Sequence, residues 1–504
     1  MPKYGGKGTM KRPNFVIIMT DTQTRRMVGA YGLAPARTPH LDALAASGMR
    51  CETAYTTCPL CTPARGGLFT GLYPASNGAW ANNIAPGNDV VHMGEIFRQH
   101  GYRAAYTGKW HLDGGGYFGD GEVGGGFEAD WWYDGYRYAK DLGAEAFQAY
   151  RCASNDEELA AHGLDREENL WGYRVASRAI DFLQSLNDEE NFCLVVSFDE
   201  PHGPYRCPPA WRGNDGMADI PASPTFAHIP DREPQLHSIH RENIAYDPQR
   251  SWADAREDYA SIWDCNRWID TQIGRVVDAI HERSNDDTVI IYTTDHGEQQ
   301  YDHGLTSKGP MMYDDSTRIP FIIRMPGDTG ERVSSAPLSH LDLIPTMLDL
   351  ANAPIPHILQ GVSQASVWRG EKERARDAVF GGFTRFAVNH DSWGALQPIR
   401  FVVKNGWKLV IHYDDDDQLF NLELDPHECN NLIADNNSET ITIRNQLHDD
   451  LLSEMDRTRD PFRGWRWANR PWRGELQKPW YFGGKRRDKP QGFEWLPQPI
   501  EAQQ

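Results

Sequence analysis

Four short apolar runs in this chain each end on a cluster of ionisable side chains. Residues 14–19 lead into Thr20-Asp21-Thr22-Gln23, and residues 103–106 into Thr107-Gly108-Lys109-Trp110-His111. Residues 192–198 lead into Asp199-Glu200-Pro201-His202, and residues 288–294 into Asp295-His296-Gly297-Glu298. Short runs with β-branched and aromatic residues suit strands buried on both faces. Between them, residues 90–100 (stopped by Gly101), 170–186, 262–283 and 343–351 read as helices. Strands alternating with helices predict an α/β domain whose largely parallel central sheet is flanked by helices. Ligands in such sheets bind beyond the carboxyl ends of the strands. The four endings therefore place metal-ligating and charged groups on one edge.

From about residue 378 the pattern changes. Residues 400–403 and 407–411 read as a hairpin through Asn405-Gly406, 414–417 as an acidic turn, 418–424 as a further strand and 447–455 as a closing helix. This divides the 504 residues into an α/β domain at 1–377, a smaller α+β domain at 378–459 and a tail at 460–504. The tail carries Trp465, Trp467, Trp472, Trp480 and Trp495 among Arg and Pro without a regular period. It is expected to wrap over the body or onto a neighbouring protomer, which makes a homo-oligomer the expectation; an extended tail is the alternative. Residues 208–252, rich in His, Pro and Trp, are expected to form a lid or specificity loop, or else a plain surface loop.

A net charge of -20 argues against nucleic acid and anionic membrane as partners. An anionic substrate would need positive charge concentrated in its site. No apolar stretch precedes Asn14, so a cytoplasmic protein without a signal peptide is expected. Eight cysteines in a chain of this length do not make a disulfide scaffold, and only Cys58 and Cys61 stand in a patterned setting.

That setting is Cys58-Pro59-Leu60-Cys61-Thr62-Pro63-Ala64-Arg65-Gly66-Gly67-Leu68-Phe69-Thr70-Gly71. Two cysteines at this spacing can serve as a redox pair, or as half of a zinc site, although no second Cys-x-x-Cys exists. The third reading is Cys-x-Pro-x-Arg followed by Thr-Gly, which resembles the modification signature of sulfatases. The length of the match and the accompanying motifs favour this reading.

On these residues the chain resembles the type I sulfatases of the alkaline phosphatase superfamily, especially soluble bacterial ones, from about residue 12 to 432 and on into the tail. The resemblance implies an alkaline-phosphatase-like fold and hydrolysis of a sulfate monoester. It implies that Cys61 is oxidised to formylglycine by a formylglycine-generating or equivalent maturation enzyme. A geminal diol at that position can expel sulfate by collapsing to the aldehyde, dividing one hard step into two easier ones. Arg65 is expected to hold the diol and the metal-side carboxylates. Asp21, Asp295 and His296 match family metal ligands, with position 61 as a further ligand; an Asp after a strand is otherwise a common turn or cap residue.

Hard oxygen-rich ligands suit calcium, while His296, where other members carry Asn, leaves room for manganese or another divalent ion. Many relatives carry a second acid where this chain has Thr22, so the site holds one less negative charge. Lys109 and His111 resemble the Gly-Lys-x-His pair beside the nucleophile: Lys109 for a sulfate oxygen, His111 as base in the elimination step. His202, in Glu-Pro-His-Gly-Pro, resembles the histidine at the leaving-group oxygen, and Lys308 the catalytic lysine. Asp295 or another metal-side carboxylate would take the diol proton, and Lys109, Lys308, Arg65 and the metal would neutralise the sulfuryl oxygens. Trp80-Ala81-Asn82-Asn83, Asp113 and Tyr117 are expected at the pocket rim, where aromatic and amide groups suit a sugar. Two rivals remain: a phosphodiester or phosphonate monoester hydrolase of the same superfamily, and a binding protein that keeps an unmodified Cys61.

Overall fold

The computed structural model describes residues 12–213, 220–283, 287–387 and 396–473. Its centre is an 8-stranded sheet. In chain order the strands are β1 (Asn14–Thr20), β2 (Met49–Cys51), β3 (Arg103–Gly108), β4 (Trp132–Tyr133), β5 (Phe192–Ser197), β6 (Thr288–Thr294), β7 (Phe321–Arg324) and β8 (Arg332–Ser334). Their spatial order is β8-β2-β7-β6-β1-β5-β3-β4. β1 lies parallel to β5 and β6, β3 parallel to β5 and β4, and β8 parallel to β2. β7 runs antiparallel to both of its neighbours, β6 and β2.

Every residue of β1, β5 and β6 is buried, which is why these strands read as unbroken apolar runs. Successive side chains alternate between faces. Val16, Ile18, Leu194, Val196, Ile290 and Tyr292 join the core on one side of the sheet. Phe15, Ile17, Met19, Val195, Val289 and Ile291 join the core on the other.

Helices form at the four expected positions with shifted ends, and two more, Cys61–Thr70 and Gln235–Asn243, stand outside those positions. They are α1 (Cys61–Thr70), α2 (Met93–Gln99), α3 (Trp171–Ser185), α4 (Gln235–Asn243), α5 (Trp252–Glu282) and α6 (Leu343–Leu350). α2 begins after residue 90 because Glu95 folds back to accept from the His92 backbone N–H, completing a capping box. α5 is 31 residues long and starts well before residue 262. Ser251 caps it by accepting from Asp254 N–H. The stretch expected to be a lid or surface loop is thus partly helical, through α4 and the start of α5; residues 214–219 lie outside the described residues.

A second, 4-stranded sheet is built from β9 (Ala378–Phe383), β10 (Ile399–Lys404), β11 (Trp407–His412) and β12 (Gln418–Asn421), all paired antiparallel in chain order. The Asn405-Gly406 hairpin forms where expected, with both residues at positive φ. β12 stops at Asn421 because that side chain turns back to accept from the N–H groups of Glu423 and Leu424. One face of this sheet packs on α7 (Ser438–Arg457) through Val402, Leu409, Leu419, Leu447 and Leu451. α7 starts earlier than residue 447, capped by Asn437.

Lys408, fully buried, ties the second sheet to the short helix Asp314–Thr317 ahead of β7 through Asp314 at 3.0 Å, and also pairs at 2.9 Å with Glu428 in the segment after β12. Of the tail, a short helix at Trp465–Ala468 is described, and Trp467 packs into the second core. Trp480 and Trp495 lie outside the described residues. No helix among the described residues is long and apolar enough to cross a membrane.

Candidate active site

The register of the parallel strands assembles the site. Thr20 pairs with Thr294, Met19 with Ser197, and Ser197 with Gly108. The residues that follow therefore leave the sheet side by side: Asp21, Asp295 and His296, Asp199, and Lys109. Gly108 makes the sharpest of these exits. Its φ is 111°, and a Cβ there would lie 1.8 Å from the Ser197 carbonyl oxygen, so only glycine fits. Lys109 N–H then donates to that carbonyl at 2.8 Å, which aims the lysine across the sheet edge.

Cys61 is the first residue of α1, a helix of 10 residues that is buried along its whole length. Helix starts favour anions, through free N–H groups and the helix dipole. Asn82 accepts from the Thr62 N–H at 3.0 Å, and Gly71, at φ 67°, closes the helix. The thiol sits 3.3 Å from His296 Nε2 and 3.9 Å from Asp21 Oδ1. Asp21, Cys61, Asp295 and His296 each present one ligand atom within 4.8 Å of the others, and all are buried. His296 Nδ1 lies 2.9 Å from the Gly297 carbonyl, which can only accept, so Nδ1 carries the proton and Nε2 faces the cluster.

Arg65, one turn along α1 and fully buried, braces this cluster from behind. Its guanidinium donates to Asp295 Oδ2 at 2.9 Å, Asp21 Oδ2 at 3.2 Å, the Lys109 carbonyl at 2.7 Å and Ser197 Oγ at 2.8 Å. The other oxygens of both aspartates are left facing Cys61. Lys109 Nζ is 2.7 Å from Asp21 and 3.1 Å from Asp199. Lys308 Nζ donates to Thr22 Oγ1 at 2.8 Å and lies 3.7 Å from Asp21 Oδ1. Thr22, whose role the sequence left open, donates in turn to Asp21 Oδ1 at 2.6 Å. It thus links the lysine to the carboxylate, at a positive φ of 61°.

Charge is unevenly shared among these groups. Burial and the neighbouring Asp21 charge push the Asp295 carboxyl up to about 6. Burial acts on Asp21 too, but Lys109 and Lys308 outweigh it and hold that carboxyl well below its usual range. For the Cys61 thiol, burial and Asp21 push upward, and Lys308, Lys109 and His296 overcome them, so it lies well below an ordinary thiol. His111 is lowered by burial. Its Nε2 is 3.0 Å from Asn83 Oδ1, an oxygen that can only accept, so Nε2 carries the proton, and the buried Nδ1 has no hydrogen-bond partner among the described residues. His111 and Asn83 both have positive φ, at 58° and 64°.

His202 stands one shell further out. Its Nδ1 is 2.7 Å from the Tyr117 hydroxyl and 2.8 Å from the Gly203 carbonyl. Tyr117, expected at the rim, reaches inward: Lys109 Nζ lies 3.7 Å from the centre of its ring, and its hydroxyl donates to Asp199 at 2.5 Å. Burial and the Asp199 charge raise its phenol well above the ordinary value. The loop carrying Tyr117 is shaped by Asp113 and Asp134, whose carboxylates accept from the N–H groups of Gly115, Asp120, Gly121 and Arg137. Sequence reasoning assigned no role to Asn83, Tyr117 or Asp199 in orienting the site histidines. Asp199 carried a signal as a strand-end acid, and Asn83 and Tyr117 were expected only as rim residues.

Residues 13–353 match the family model described as Sulfatase, and residues 301–457 match the one described as N-sulphoglucosamine sulphohydrolase, C-terminal. The chain belongs to the sulfatase family. It is a type I sulfatase of the alkaline phosphatase superfamily and a sulfuric ester hydrolase. This sulfatase is 40% identical over 495 residues to the sulfatase YidJ of Escherichia coli (strain K12), covering 96% of this chain and 94% of that one. It is 24% identical over 504 residues to the N-acetylglucosamine-6-O-sulfatase of Bacteroides thetaiotaomicron, covering 85% and 84% of the two chains. The phosphonate monoester hydrolase of Agrobacterium radiobacter shares its fold, with a TM-score of 0.73 at 23% identity over 89% of this chain and 96% of that one.

Proposed function

We propose that this sulfatase hydrolyses carbohydrate sulfate monoesters, with Cys61 converted to formylglycine by a maturation enzyme. A divalent cation would be held by Asp21, Asp295, His296 and the oxygen of the modified residue 61. The observation that carries this reading is the meeting of the Cys61 thiol with three buried ligand side chains and two lysines at one sheet edge. The donor set suits a cation. Two carboxylates present one oxygen each while Arg65 occupies the other, and His296 presents Nε2 with Nδ1 fixed by a carbonyl. Two oxygen ligands with one imidazole fit calcium, and the imidazole also admits manganese. A bound divalent ion would supply positive charge to a sulfuryl oxygen and to the nucleophile.

The hydrated aldehyde would supply a nucleophile that can later shed sulfate by returning to the carbonyl. Lys109 and Lys308 bring ammonium groups to where sulfuryl oxygens would lie, a preorganised donor of this type being worth about 10² to 10³ in rate. Arg65 is assigned to Asp21 and Asp295 rather than to the sulfuryl oxygens, because its donors already end on those carboxylates, Lys109 and Ser197. His111 presents its bare Nδ1 to accept a proton as sulfate is expelled. His202 faces the departing oxygen. In this reading residues 1–377 form the catalytic domain, 378–459 a smaller supporting domain and 460–504 its tail.

Intact-mass spectrometry and an aryl sulfate assay test the reading together. Formylglycine makes the chain about 18 Da lighter than the cysteine form. Cys61→Ala should abolish turnover, and near wild-type turnover would end the assignment. Lys109 and His111 favour sulfate over phosphodiester or phosphonate esters, so faster cleavage of an aryl phosphodiester than of an aryl sulfate would reverse the ranking. The sugar class draws on the N-acetylglucosamine-6-O-sulfatase relative and is tested with a panel of sulfated monosaccharides.

A further inference from the structure

Tyr117 holds two charged partners of the site at once. Its ring faces the Lys109 ammonium at 3.7 Å, and its hydroxyl stands between Asp199 Oδ1 at 2.5 Å and His202 Nδ1 at 2.7 Å. The direction of these hydrogen bonds follows from valence. Asp199, paired with Lys109 at 3.1 Å, accepts, so the phenol hydrogen points to it. The Gly203 carbonyl, 2.8 Å from His202 Nδ1, can only accept, so Nδ1 carries a hydrogen. The phenol oxygen is then the second acceptor for that same Nδ1–H. The chain runs from His202 through Tyr117 to Asp199, and it leaves Nε2 as the ring nitrogen able to meet substrate. An oriented histidine of this type works through the group that holds its far nitrogen.

We propose that Tyr117 is the positioning residue for His202. It fixes which nitrogen faces the departing oxygen and couples that histidine, through Asp199, to the lysine beside the sulfuryl group. The proposal rests on the reading that His202 serves the leaving group. Two further features agree with it. Asp113 and Asp134 brace the loop of Tyr117 through backbone N–H groups, so the hydroxyl is held by a built turn rather than by chance. The Tyr117 ring also packs edge-on against His111, with centroids 5.5 Å apart, which places one residue beside both histidines.

The test uses the mature enzyme and aryl sulfates of falling leaving-group ability: 4-nitrophenyl, phenyl and 4-methoxyphenyl sulfate. Tyr117→Phe removes one hydroxyl and keeps the ring over Lys109. A group that helps protonate a leaving oxygen matters most for the poorest leaving group. The loss in kcat/KM on 4-methoxyphenyl sulfate should therefore exceed that on 4-nitrophenyl sulfate by about 10-fold or more. His202→Ala should steepen the same series, and Tyr117→Phe added to it should change the slope no further. If His202→Ala steepens the series but Tyr117→Phe lowers all three substrates equally, or none, Tyr117 acts through Lys109 or packing and the proposal is overturned. Additive slopes in the double variant overturn it as well. If His202→Ala itself leaves the slope unchanged, the leaving-group reading of His202 fails and this proposal falls with it.

Discussion

Replacing Arg65 with methionine removes one charge and leaves two behind. Asp21, Asp295 and Arg65 are all fully buried, and the guanidinium spans both carboxylates. Methionine keeps much of the stem volume, so the cavity contribution is small. The dominant effect is a pair of buried carboxylates without their shared counter-ion, together with the Lys109 carbonyl and Ser197 hydroxyl losing a donor. Breaking a buried ion pair from one side costs about 3–5 kcal/mol. Against a typical total of about 5–15 kcal/mol, that is a large share, yet one a folded variant can survive. Urea unfolding in the presence of a chelator measures it directly, as a lower midpoint at unchanged slope. Calcium should narrow the gap, because a divalent ion offsets the carboxylates that the guanidinium had offset. A gap below about 1 kcal/mol in chelator would refute the bracing role, since that is the range of an exposed pair. So would a gap that calcium widens.

Two further substitutions probe the strand ends. Glu200, buried beside Asp199, is pushed up to about 8 by burial and that neighbour's charge, and it accepts from Gly172 N–H at 3.0 Å. The folded state therefore keeps a proton that the unfolded chain releases near pH 4.5, and stability falls as pH rises between those values. Glu200→Gln keeps the acceptor for Gly172 and removes the titration. The stability of the variant relative to wild type should rise by about 1.4 kcal/mol per pH unit from about pH 5 to 8, then level off. A pH-independent difference in paired unfolding curves would contradict this. Gly108→Ala meets a backbone carbonyl at 1.8 Å and a φ of 111°, while Gly101→Ala, at φ 82°, meets nothing within 4 Å. The first should lose soluble protein or at least about 3 kcal/mol and the second about 1 kcal/mol, so equal thermal stability of the two would refute the close-approach account.

The strands that carry the site were legible because parallel strands buried on both faces leave an unbroken apolar trace, and the clustered ionisable groups follow where the trace stops. Asp21, Lys109, Asp295 and His296 came into view this way, before any family resemblance. Elements failed to show where burial was partial. The first turns of α5 and of α7 are largely exposed, so their apolar period begins only near Ile262 and Leu447. β2, at 3 residues, and β7, at 4, are too short to leave a period at all.

Asn83 and Tyr117 were expected at the rim, but their contacts with the histidines were not legible, for a different cause. Both come from irregular segments, where no repeat ties sequence position to direction, and each is hydrogen-bonded to a histidine. A strand end announces itself by pattern, whereas a residue that only sets a neighbour's tautomer is visible through its hydrogen bonds alone. Asp199 shows both sides of this. Its place after β5 was readable, but its partners Lys109 and Tyr117 arrive from β3 and the loop beyond it, through a register that only the folded sheet supplies. The charged groups that gather at the sheet edge are thus written at the ends of strands, and the groups that orient the histidines beside them are written in the contacts between loops.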